Sequence, residues 1–168
     1  MNRYLFPAAV FTFLISVSSP AFASDDKLPA CIQNLSDFKC FYDNRYRTYQ
    51  TDNKLFWKHW RHHEAQANAC TSGKATAQFL SLVIGSDGEL AEAMYEFIEK
   101  LVLSNAACVL SAAETLDDNV MNHLIRYYVM TPLYHEPSET LPIIEKELKK
   151  NNYPRFSKLY FKIKEKKD

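Results

Sequence analysis

The sequence predicts an all-α fold: a compact single-domain bundle of about six or seven helices, stapled by two disulfides. Three observations carry that expectation. Apolar residues recur at intervals of three and four along most of the chain, the spacing of one helix face. No run alternates strictly between apolar and polar residues, and no Asn-Gly or Asp-Gly turn joins two β-type runs. The four cysteines, Cys31, Cys40, Cys70 and Cys108, are an even set with gaps too wide for the close Cys-x-x-Cys spacing of a zinc site.

The first 23 residues are expected to be a cleaved signal peptide rather than part of the fold. Asn2 and Arg3 precede the apolar run "YLFPAAVFTFLISVS", and Ala21 and Ala23 supply the small residues that a signal peptidase requires before "SDDK". The run is shorter than the ~20 residues needed to cross a bilayer. "LPAC", ending at Cys31, resembles a lipoprotein cleavage box, but Asp25, Asp26 and Lys27 separate it from the apolar run it should abut. Cleavage after Ala23 and export to the periplasm are the expectation. Residues 24 to 168 then form one α-helical domain, of which 152 to 168 are a basic C-terminal helix or tail.

Two helices are expected first. Residues 31 to 48 align Cys31, Leu35, Phe38, Tyr42 and Tyr46, and residues 52 to 70 align Phe56, Trp60, His63, Ala67 and Cys70. A turn near Tyr49 to Asp52 folds them into an antiparallel hairpin, in which facing residues have numbers summing to about 101. Cys31 and Cys70 satisfy that sum, so the expected bridges are Cys31–Cys70 and Cys40–Cys108.

"KATAQFLSLVI" reads as a short helix between Gly73 and Gly85, and "SDGE" has the spacing of a capping box from Ser86 to Glu89. A long helix follows with Leu90, Met94, Phe97 and Leu101 inward; it either runs on to Thr115 or breaks at Ser104–Asn105. "LDDNVMNHLIRYYVM" is a helix capped by Asp117 or Asp118, with Val120, Leu124, Tyr127 and Tyr128 inward and Pro132 as its stop. "PSETLPIIEKELKKNN" carries Ser138 as N-cap, Glu139 in its first turn, and Lys149 and Lys150 in its last, matching the helix dipole. Phe156, Leu159, Tyr160 and Ile163 mark a terminal helix.

The densest chemistry is "LFWKHWRHHEAQANAC", residues 55 to 70. At about 100° per residue His63 falls on the Phe56–Trp60–Ala67 stripe, His59 borders it, and His62 faces solvent. His59 and His63 have the i, i+4 spacing at which two imidazoles can share a metal. However, neither HExxH nor its inverse is present, and a third ligand would have to come from His123, His135 or a carboxylate. The expectation is a packed His63 with His59 and His62 partly wet, and no cofactor. No G-x-S-x-G surrounds any serine, and "GSDG" lacks the lysine of a phosphate loop, so no catalytic residue is assigned.

Charge is uneven. Without Arg3, 19 basic residues stand against 20 acidic ones, a net charge of −1 that gives no pull toward nucleic acid. Residues 86 to 119 are strongly acidic, with Glu89, Glu92, Glu96 and Glu99 spaced as one solvated helix face; residues 146 to 168 are strongly basic. The acidic face, with Trp57, Arg61 and His62 pointing away from the core stripe, supplies the candidate contacts for a protein partner. The functional expectation is therefore a non-catalytic periplasmic binding protein that occludes another protein, in its most concrete form an immunity or inhibitor protein against a basic, envelope-targeting toxin or secreted effector. The alternative is a small metal carrier or enzyme using His59 and His63. A third reading rests the basic tail on anionic lipid. A homodimer is compatible with all three.

Overall fold

The computed structural model describes residues 27–166; the expected leader, residues 1–23, lies outside them. Seven α-helices appear among the described residues, with no strand. They are α1 (Phe38–Thr51), α2 (Asn53–Asn68), α3 (Gly73–Leu80), α4 (Gly88–Ala113), α5 (Asp118–His123), α6 (Pro137–Lys150) and α7 (Pro154–Lys164). Short 3₁₀ turns occupy Ala30–Gln33 and Ser81–Val83, and a π-helical segment, Leu124–Val129, continues α5. No described helix is long and apolar enough to cross a membrane.

Local chemistry sets most boundaries. Asp37 starts α1 by accepting from the Cys40 amide at 2.9 Å. Asp52 ends α1, its amide donating to Thr48 O, and starts α2, its carboxylate accepting from Leu55 N at 2.9 Å. One residue thus makes the whole α1–α2 turn. Ser72 caps α3, and Gly85, at φ +77°, supplies the left-handed backbone that turns the chain toward α4. Prolines stand at the first position of α6 and α7, where a missing N–H leaves no bond unmade.

Two expected caps are replaced. Asp87, not Ser86, precedes α4; the Ser86 hydroxyl donates to Leu82 O and Glu89 accepts from the Tyr49 hydroxyl, so no capping box forms there. The α6 cap is Glu136 rather than Ser138, because Pro137 takes the first helical position; Glu139 reaches back to the Glu136 amide at 3.0 Å. The long helix does break where Asn105 stands, at φ −157° and ψ 71°, and the Asn105 side chain accepts from Cys108 N to restart it.

The core is continuous. α1 and α2 pair as a hairpin, α2 packs on α3, and α3 packs on α4. α4 also holds α6 and the π-helical segment, against which α7 closes. Phe56, Trp60, Phe79 and Phe97 form a chain of rings from α2 through α3 to α4, tilted at Phe56–Trp60 and edge-to-face at the two contacts that follow. The C-terminal segment belongs to this core: Phe156, Tyr160 and Ile163 are buried, so residues 152–166 are more than a tail. The acidic and basic blocks meet at the start of α7: Glu114 accepts from its first amides at Arg155 and Phe156, and Arg155 pairs with Asp118 at 2.6 Å.

The bridges are Cys31–Cys40 and Cys70–Cys108, not the expected Cys31–Cys70 and Cys40–Cys108. The physical reason is that Cys31 does not lie on α1. It sits in the preceding 3₁₀ turn, and extended backbone at Asn34 folds that turn back on the first turn of α1. Ile32 is buried by this fold-back. The inward residues of α1 are therefore Cys40, Phe41 and Thr48, while Tyr46 is exposed. Cys70, at φ +50°, lies just past the end of α2 and reaches the second half of α4. Two bridges indicate an oxidising compartment, extracellular or periplasmic.

Candidate interface on the acidic helix

The histidine cluster is core. His59, expected at the border of the stripe, has no exposed surface, and His63 is nearly as buried. The fold-back of residues 30–33 covers His59: its Nε2 lies 2.7 Å from Ile32 O, and its ring stacks on Phe41 with an interplanar angle of 4°. Phe38 meets His63 edge-on. His62 is half-buried and contacts Gln66. The two inner rings lie 6.1 Å apart, and no group of three His, Cys, Asp or Glu residues able to hold a metal occurs among the described residues.

Burial disfavours the charged imidazole, and it lowers His59 and carries His63 down to about 4. The folded chain then holds fewer protons than the unfolded one between about pH 6.5 and 4, so stability is full above that window and falls as pH drops through it. For His63 alone the loss approaches about 3 kcal/mol. Urea unfolding at pH 7 and pH 4.5 is expected to show it, with a shallower slope in His63→Leu; parallel curves for the two proteins would remove His63 as the cause.

α4 carries the acidic stripe. Its run of Glu89, Glu92, Glu96 and Glu99 lies within one helix face, but the four side chains divide into three environments. Glu92 and Glu96 are exposed, Glu96 pairing with Lys100 at 2.5 Å. Glu89 is exposed but engaged by the Tyr49 hydroxyl. Glu99, expected on the solvated face, is 2 % exposed. The loop between the π-helical segment and α6 folds over it, and its carboxylate accepts from the amides of Leu133 at 2.6 Å and Tyr134 at 3.1 Å and from His135 Nδ1 at 2.8 Å.

A buried carboxylate needs such donors, and here they fix a loop. The consequence is that Leu133 and Tyr134, held at their backbones, present their side chains to solvent, each more than half exposed. The Tyr134 hydroxyl is pushed up by desolvation and then by the charges of Glu92, Glu96 and Glu99, which places it beside the acidic stripe. Tyr127, expected inward, is also about half exposed, because the wider π turn rotates it off the buried face.

The α2 candidates lie close by in part. Glu64 is raised by burial first and then by Glu96, with Lys100 and Arg61 acting the other way, so α2 and α4 share this face. Arg61 is exposed. Trp57, expected to point away from the core, is half-buried against Tyr49, Phe56 and Trp60. Sequence reasoning missed the Glu99–His135 anchor and the exposed Leu133–Tyr134 pair; their only local signal is two large apolar residues between Pro132 and His135 in an otherwise polar connection.

Fold and surface together define a class: a small, disulfide-stapled all-α protein that displays a carboxylate stripe beside an anchored apolar loop. No protein-family model, curated protein or solved structure matches the chain.

Proposed function

We propose that this chain is a periplasmic, non-catalytic binding protein that docks a basic protein partner on the α4 face, most concretely as an immunity or inhibitor protein against an envelope-targeting toxin or secreted effector. One observation carries the reading: buried Glu99 accepts from the amides of Leu133 and Tyr134 while both side chains stand exposed, Tyr134 within the field of Glu92 and Glu96. Apolar side chains ringed by charge combine contact area with steering, as protein interfaces do. The leader pattern expected to end at Ala23 and the two bridges support the periplasmic part.

The test is a paired capture from periplasmic extract with the wild-type chain and with Glu92→Lys/Glu96→Lys/Tyr134→Ala. The expected result is a basic protein retained by the first and released by the second, with association slowed about tenfold or more by the charge reversal. Equal retention of the same proteins by both chains would defeat the assignment of this face.

A further inference from the structure

A second surface, sharing no residue with the acidic face, has the opposite sign. A groove of about 590 Å³ runs between α5, the π-helical segment and α7. Arg126, Arg155, Lys158, Lys162 and Lys166 line it against the single carboxylate of Asp118, a balance of +4. Asn119 and Asn122 add neutral polar groups, and Leu159 and Ile163 give it an apolar floor.

Most of this charge is uncompensated. Arg155 is committed to Asp118 and to the carbonyls of Glu114 and Leu116. Lys158, Lys162 and Lys166 form no ion pair among the described residues, although Glu165 follows directly on the end of α7. Like charges at i, i+4 destabilise a helix, so the Lys158–Lys162 pair works against α7 unless an anion lies across it, and Lys166, just past the helix end, adds a third cation to the same groove. The fourth cation comes from another element. Arg126 stands on the π-helical segment and is oriented by its Nε–H, which donates to Asn122 Oδ1 at 3.0 Å. A π turn inserted in an α-helix is uncommon and frequently marks a functional site, and this one places Arg126 on the same groove as Lys158 and Lys162 of α7.

We infer that the groove between the π-helical segment and α7 binds a phosphate-bearing ligand, with the phosphate held by Arg126, Lys158, Lys162 and Lys166. Guanidinium and ammonium groups donate charge-assisted hydrogen bonds to phosphate oxygens, and the Leu159–Ile163 floor accepts the less polar part of the same molecule. A lipid headgroup and a free phosphorylated compound present the same chemistry.

Two probes distinguish those sources: inorganic pyrophosphate followed by amide chemical shifts, and flotation with phosphatidylglycerol vesicles against phosphatidylcholine vesicles. The variants are Lys158→Gln/Lys162→Gln/Lys166→Gln, all at exposed positions, and the single change Arg126→Gln in case the triple is poorly folded. The expected result is binding of one probe or both, weakened at least about tenfold in the triple variant and by raised salt, as screening requires. Binding of pyrophosphate alone assigns a free ligand, and selective flotation on phosphatidylglycerol assigns a lipid. Failure of both probes, or retention of full affinity by both variants, overturns the inference.

Discussion

Replacing Cys70 and Cys108 together with serine is expected to lower stability by about 4 kcal/mol, the largest single effect predicted for this fold. The bridge closes a loop of 38 residues, and the entropy it removes from the unfolded chain grows with the logarithm of that length. Removing Cys31–Cys40, which closes only 9 residues, is expected to cost about 2.5 kcal/mol on the same basis. The difference also has a structural side. Cys70–Cys108 fastens the end of α2 to the restarted half of α4 beyond Asn105, whereas Cys31–Cys40 fastens the 3₁₀ turn to the helix next to it. Urea midpoints of the two double-serine variants should therefore rank in that order. Peptide mapping of the non-reduced protein gives an independent check, since Cys31–Cys70 and Cys40–Cys108 fragments would refute the pairing.

Glu99→Ala is expected to be nearly as damaging, at about 3 kcal/mol, because it removes the acceptor from donors that were arranged around it. Glu99→Gln keeps an acceptor oxygen and the side-chain volume, so it should fall between alanine and wild type. The informative readout is local. Amide exchange at Leu133 and Tyr134 should accelerate in both variants, while amides in α2 and α3 remain protected until global unfolding. Unchanged exchange at those two residues would mean that the loop is held by its neighbours and not by Glu99. In that case the displayed apolar pair would lose its anchor as an argument for a docking face.

The two predictions concern residues that the sequence treats very differently. Helix content, the α1–α2 turn at Asp52, the start of α3 at Gly73 and the inward positions Phe56, Trp60, His63 and Ala67 of α2 and Phe156, Tyr160 and Ile163 of α7 were legible, since each depends on spacing or on a side chain meeting a backbone group within a few residues; α3 itself ends at Leu80, where a 3₁₀ turn takes over before Gly85. The break at Asn105 was visible as one of two options. What failed were inferences that carried local periodicity past an element's true end. Treating Cys31 as part of α1 produced the wrong bridges, and treating Ser86 and Ser138 as caps ignored the neighbours that took those roles.

The candidate surface was half readable. Glu92 and Glu96 are where the spacing puts them, exposed on α4, and Arg61 is exposed on α2. Glu99 has the same spacing and the opposite environment, because burial there depends on a loop 34 to 36 residues away in the chain. His59 is comparable: its position on the wheel was known, but its cover comes from Ile32, 27 residues earlier.

The amino-acid sequence by itself determined the class of fold, the number of cysteines available to bridge and the placement of most helices, because those follow from interactions within one or two turns. Only the tertiary structure decided which sulfurs meet, which glutamate is buried, and that Arg126 faces three lysines across a groove. Each of these depends on segments distant in sequence being brought together by packing, and helical periodicity carries no information about which segments meet.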